Sequence, residues 1–217
     1  MMPMETWLLG KILMLPAILI GLTVHEYAHA LTADRLGDKT PKFQGRLTLN
    51  PFVHLDPFGF LMIILVGFGW AKPIQTNPGA YRNYYKDDLK VSLAGPFSNL
   101  AVALVFTVIT GVVIRTGALD AIGSANLYST IITILSEIIY INCMLFVLNI
   151  IPIPGFDGFN ALRDIFPNRL NSVSEAIYRY QFIIIVVFLA TPLSTYMIGA
   201  PSEMLYSTFV SLVNFII

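Results

Sequence analysis

The chain has 217 residues, 56% hydrophobic and 12% charged, with a mean hydropathy of +0.72 and a formal net charge of zero. A water-soluble domain carries about 25% charged residues, so this is the composition of a polytopic membrane protein. Spans of about 20 residues each leave little room for a second domain. The neutral balance and the lack of a basic tract argue against nucleic acid as a partner.

The first apolar run extends from Trp7 to about Ala33. Lys11 and Pro16 interrupt it, the one able to snorkel and the other tolerated as a kink in a membrane helix. Ala28-His29-Ala30 has the form of a signal-peptidase site, but no positive region precedes the run, which is therefore read as uncleaved. Thr40 to Leu55 mixes polar and apolar residues with Pro41, Gly45, Asn50 and Pro51, a pattern of short strands and turns. Pro57 to Ala71 is apolar but falls below the length of about 18 residues that spanning needs. Val91 to Ile114, Ala121 to Phe156 and Gln181 to Ser202 are each long enough to cross, with Glu137 the sole charge in the second. Met204 to Ile217 is again short. The expected fold is all-α and polytopic, with about five to six transmembrane helices and a small β or re-entrant element near the cytoplasmic face. It forms a single domain over 1–217, with a core at 7–160 and additional C-terminal membrane helices at 177–217.

Charge fixes the expected sides. Arg35, Lys39, Lys42 and Arg46 follow the first run, Lys72, Arg82, Lys86 and Lys90 follow the short one, and Arg163, Arg169 and Arg179 follow the third long one. If positive loops face the cytoplasm, 34–56, 71–90 and 158–180 share that side, and Pro57 to Ala71 enters and leaves by one face. The N-terminus is then outside.

The chemistry starts at His25-Glu26-Tyr27-Ala28-His29, at the cytoplasmic end of the first run. Imidazoles at i and i+4 of a helix stand about 40° apart and one turn along the axis, so both can face one metal ion, and Glu26 can reach its water. A zinc hydrolase takes three protein ligands and keeps a fourth position open. Cys143, in an apolar run without a partner, is a weak candidate for the third and is read as a buried structural thiol. Asp157 is stronger, because Pro152 and Pro154 break the helix before it, and irregular backbone at membrane depth survives only beside protein or a water-filled cavity.

His25-Glu26-x-x-His29, Ala94-Gly95-Pro96-x-x-Asn99 and Asn149-x-x-Pro152-x-Pro154-x-x-Asp157-Gly158 together resemble the site-2 protease family of intramembrane zinc metalloproteases, in a short, minimal form. The resemblance covers most of the chain, from the first span through the third. It implies one zinc ion held by His25, His29 and Asp157, Glu26 as general base, and Asn149 as a substrate contact. It further implies hydrolysis of peptide bonds in or near transmembrane segments of other proteins; a helical substrate hides its carbonyls in i to i+4 hydrogen bonds, so local unwinding is expected before the cut. The short chain and the lack of organelle-targeting features point to a prokaryotic plasma membrane, and the positive loops put the active site toward the cytoplasm.

Other residues admit plainer roles. Asn99 reads as interhelical glue, Ala94-Gly95-Pro96 as close packing, and Tyr178-Arg179-Tyr180 as an interface anchor. His54 and Asp56, at the entry to the short run, are open between a structural and a functional role, as is Glu137 within its span. A zinc protease of prenylated-protein type would draw a third ligand from Glu137, Glu175 or Glu203, none of them convincing. A non-catalytic zinc-binding protein that holds transmembrane partners would be expected to lack Glu26 or a ligand, and neither is lacking.

Overall fold

The computed structural model describes residues 4–67, 69–119 and 123–217. Backbone in hydrocarbon must satisfy its own N–H and C=O groups, so the apolar runs fold as helices. In chain order these are α1 (Met4–Leu36), α2 (Thr40–Phe43), α3 (Pro51–His54), α4 (Pro57–Val66), α5 (Tyr84–Thr116) and α6 (Ala125–Ile150). There follow α7 (Asp157–Ile165), α8 (Pro167–Arg179), α9 (Gln181–Ala190), α10 (Pro192–Ser194) and α11 (Ala200–Ile216), with a π-helical turn at Thr195–Gly199. The start of the run at Ala121 lies outside the described residues.

Three helices, α1, α5 and α6, are long and apolar enough to cross a membrane. A fourth span results if α9 and the bent segment Pro192–Ile216 count together. The expected five or six are thus not reached among the described residues, for two local reasons. α4 is only 10 residues, about 15 Å of rise against roughly 30 Å of hydrocarbon. Farther on, Pro192 removes a donor and forces Thr191 to an extended φ of −97° and ψ of 155°, so the two pieces meet at 80°. The break falls at Thr191, inside the stretch expected to be one span.

No strand forms among the described residues. The stretch read as strands and turns instead carries two single-turn helices, α2 and α3, each with a proline in its first two positions, Pro41 and Pro51, that supplies a helical φ. What is left of the β element is one antiparallel bridge between Leu55 and Ala71, reinforced by Lys72 N–H donating to His54 C=O at 2.8 Å. The Arg46 guanidinium, buried in this loop, donates to Val53 C=O and Lys72 C=O and ties the two sides of the bridge together.

α1, α5 and α6 pack on one another, and α7 and α11 lie against α5. One core cluster joins Ala17 and Ile18 of α1 to Ile138, Ile141 and Leu145 of α6. A second joins Ala103, Ile139, Cys143 and Phe209 across α5, α6 and α11, and Cys143 is a fully buried member of it.

Candidate metal centre

α6 ends at Ile150, and the chain then runs extended through Ile151 (φ −69°, ψ 132°) into Pro152. Gly155 adopts φ 98°, a left-handed turn that favours glycine, and Asp157 starts α7. The turn delivers the Asp157 carboxylate to the His25–His29 face of α1. Asp157 Oδ2 lies 3.1 Å from His25 Nε2 and 3.3 Å from His29 Nε2, and the two Nε2 atoms are 3.0 Å apart.

The far side of each ring decides what these three atoms are. His25 Nδ1–H donates to Asn99 Oδ1 at 2.8 Å, and His29 Nδ1–H donates to the Val91 carbonyl at 2.7 Å. In the neutral imidazoles both Nε2 atoms therefore present lone pairs. Asp157 Oδ2 is buried with no hydrogen-bond donor. Three electron-rich atoms converging in this way call for a cation between them. Ligand atoms about 2.0–2.2 Å from a tetrahedral zinc stand roughly 3.3–3.6 Å apart, so the cluster needs to open by only a few tenths of an ångström. The residues fit the metal in number, type and spacing, and they form the one such cluster of three His, Cys, Asp or Glu ligands among the described residues.

α5 supports the pair from behind. A side chain on Gly95 would begin 2.6 Å from His25 Cε1 and 2.7 Å from His25 Nε2, and would overlap His29 Nε2. The backbone of α5 thus passes directly over both rings, one helical turn after the Val91 carbonyl that holds His29. In front of the cluster opens a cleft of about 690 Å³, lined by Glu26, Asn149, Asp157, Ile74, Asp88 and Arg163 among others. Glu26 Oε2 accepts from Ile74 N–H at 3.0 Å, which orients the carboxylate. Asn149 sits in the last turn of α6 and bonds back to Leu145 C=O at 3.0 Å.

The family model described as peptidase family M50 matches residues 13–190. The chain belongs to peptidase family M50. "Putative zinc metalloprotease YwhC" of Bacillus subtilis is 36% identical over 182 residues, covering 83% of this chain and 81% of the relative. Proteins named Rip2 and described in the same words, from Mycolicibacterium smegmatis and Mycobacterium tuberculosis, are 33% and 31% identical, covering 83% of this chain and 68% of each relative. No solved structure matches the chain. These relationships make the M50 protein a metalloprotease of the site-2 type, with zinc as the implied metal.

The M50 site differs from the sequence expectation in its surroundings. Thr40 to Leu55, the loop that follows the His25–His29 helix, does not line the cleft; residues within 69–78 do, with Trp70, Ile74 and Thr76 among them. His54 is fully buried, pairs its Nε2 with Thr48 C=O at 2.7 Å and does not line the cleft, while Asp56 caps α4 by accepting from Gly59 N–H at 2.7 Å. Glu137 and Glu203 do not line it either, and the Glu175 side chain lies outside the described residues. Asn99 is more than glue, since it orients His25. Asn142, which no sequence motif singles out, is the residue bonded to Asn99 on the side away from His25. The available signal was a bare amide in an apolar span, costly there without a purpose.

At the far end of the cleft, Arg163 of α7 donates to Asp88 of α5 at 2.8 Å and to Asp164 at 3.0 Å. Tyr178, part of the Tyr178-Arg179-Tyr180 cluster read from sequence as an interface anchor, donates to Asn160 Oδ1 at 2.6 Å and packs edge-on to Phe159. Asp164 Oδ2 is buried without a partner. Burial and the Asp88 carboxylate push Asp164 up to about 6, against the lowering effect of Arg163. The folded chain then holds this proton more tightly than the unfolded one, whose Asp keeps the ordinary 3.8. Its contribution to stability is favourable at low pH, declines as pH rises from about 4 to 6, and is a full penalty above that. Asp164→Asn keeps an acceptor for Arg163 and removes the penalty. Thermal unfolding in detergent should show Tm raised by about 2–6 °C at pH 7.5, with the gain fading toward pH 4. An equal gain at both pH values would contradict this account.

Proposed function

We propose that this chain is an intramembrane zinc metalloendopeptidase that hydrolyses peptide bonds in or near transmembrane segments of membrane protein substrates. The observation that carries the reading is the convergence of His25 Nε2, His29 Nε2 and Asp157 Oδ2, the last without a hydrogen-bond donor, beside Glu26 at the head of a cleft. The reading takes one zinc ion and a single domain over 1–217. It places the chain in a prokaryotic plasma membrane, with the active site toward the cytoplasmic face, the side to which the positively charged loops 34–56, 71–90 and 158–180 are assigned.

When bound, zinc supplies a Lewis acid that acidifies water and polarises a carbonyl. His25, His29 and Asp157 are the residues that would hold it. Glu26, oriented by Ile74 N–H, takes the proton of the attacking water and delivers it to the departing amide nitrogen. Asn149 faces the same cleft and offers an amide to the substrate backbone. A helical substrate keeps its carbonyls in i to i+4 bonds, so it has to unwind locally before the cleft can receive it, and segments weakened by glycine or proline should be cut preferentially.

The test uses purified protein in detergent with a panel of single-span substrates, scored for cleavage and for bound zinc. The wild type should bind one equivalent and cleave, and a chelator should stop it. Asp157→Ala removes one of three ligands and should weaken zinc binding by more than about 100-fold, beyond the range for outer-shell changes, with loss of cleavage. Full zinc occupancy and activity in Asp157→Ala would overturn the ligand assignment.

A further inference from the structure

We infer that Asn142 is a positioning residue for the metal site, setting through Asn99 the imidazole tautomer that leaves His25 Nε2 open to a metal. The inference rests on the metal reading above and extends it to a residue two bonds removed from the ligand.

Asn142 of α6 and Asn99 of α5 are both 0% exposed. Asn142 Nδ2 donates to Ile138 C=O at 2.8 Å, so its Oδ1 faces Asn99 and accepts from Asn99 Nδ2 at 3.0 Å. The same Asn99 Nδ2 donates to Gly21 C=O at 3.0 Å. Asn99 Oδ1 is thereby turned to His25 Nδ1, 2.8 Å away. Carbonyl oxygens only accept, so each amide has one orientation. Reversing Asn99 would set oxygen against oxygen at both Gly21 and Asn142, and reversing Asn142 would do so at Ile138. The file therefore ends in an acceptor, and His25 must carry its proton on Nδ1. A leucine at 142 would remove one of the two groups that hold Asn99 in this sense. Gly21 makes the file possible, because a side chain there would begin 2.6 Å from Leu145 Cδ1 and 3.3 Å from Asn142 Oδ1, forcing α1 and α6 apart. An amide in an apolar span is costly unless it is used, and this one is bonded at both ends.

Zinc affinity is measured by chelator competition on the purified full chain for the wild type, Asn142→Leu, Asn99→Ala and the double variant. Histidine ¹⁵N spectra of the zinc-free proteins report the His25 tautomer. Asn142→Leu should bind zinc about 10-fold more weakly, as outer-shell losses do, and should show a mixed tautomer. In the Asn99→Ala background it should add nothing, since its route to the metal is gone. Asn142→Asp, whose protonated carboxyl keeps one donor and one acceptor, should stay near wild type. If Asn142→Leu does not fold, Asn142→Ser, too short to reach Asn99, takes its place with the same expectations. The proposal is overturned if the folded variant keeps wild-type zinc affinity and tautomer, or if its effect adds in full to that of Asn99→Ala, which is the mark of general packing damage. A wild type that binds no zinc would overturn the metal reading instead, and the tautomer comparison alone would then decide the role of Asn142.

Discussion

Glu26→Gln should lose peptide hydrolysis by about 10²- to 10⁴-fold while binding as much zinc as the wild type. Glutamine matches glutamate in shape and keeps an oxygen to accept from Ile74 N–H, so the cleft and the orientation of the side chain are conserved. What disappears is the ability to take a proton from water and return it to the leaving nitrogen. None of the three clustered ligand atoms belongs to Glu26, so the metal site is untouched. Initial rates on a single-span substrate, read beside zinc content, check the two halves separately. Activity above about a tenth of wild type would remove Glu26 from the role of base. Loss of zinc along with activity would show that it supports the site instead of acting within it.

Gly95→Ala should be nearly as severe, and by a different route. Its new methyl would begin 2.6 Å from His25 Cε1 and overlap His29 Nε2. Neither ring has room to retreat, because each is bonded through Nδ1 to α5 itself, one to the Asn99 side chain and the other to the Val91 carbonyl. The helix that would push the rings away also holds them, so relief means separating α1 from α5. Zinc binding is expected to weaken by about 100-fold or more, with cleavage lost in proportion, at the upper end of outer-shell effects. Gly10→Ala, with nothing within 4 Å of the added methyl, is the control and should leave zinc content unchanged. Wild-type zinc affinity in Gly95→Ala would mean that the rings are not confined as described.

The His25–His29 pair was legible in the sequence because helical spacing alone brings i and i+4 to one face, and no tertiary fact is needed. Asp157 was legible for another reason, since two prolines in an apolar run announce backbone that must be lining something. Composition revealed the long helices. It did not reveal where the C-terminal run breaks, because a proline such as Pro192 is also tolerated within a membrane helix. The Thr40 to Leu55 loop has the residues of turns, which serve single-turn helices as readily as strands. The amide file was out of reach for a stronger reason. Its members lie on three helices, and whether Asn142 meets Asn99 depends on the rotation and separation of α1, α5 and α6, which Gly21 and Gly95 set.

Ile185 of α9 occupies the space in front of Gly155, where a side chain on the glycine would begin 2.6 Å from its Cδ1, and Gln181 and Phe182 join it in lining the cleft. The segment 7–160 contains the clustered ligands and Glu26, yet encloses the cleft on an incomplete perimeter. The remaining wall comes from Arg163 of α7 and from α9, which carries none of the clustered side chains. Changes along 181–190 can therefore reshape one wall of the cavity while leaving His25, Glu26, His29 and Asp157 in place, so that part of its outline and its reactive end are specified by different stretches of the chain.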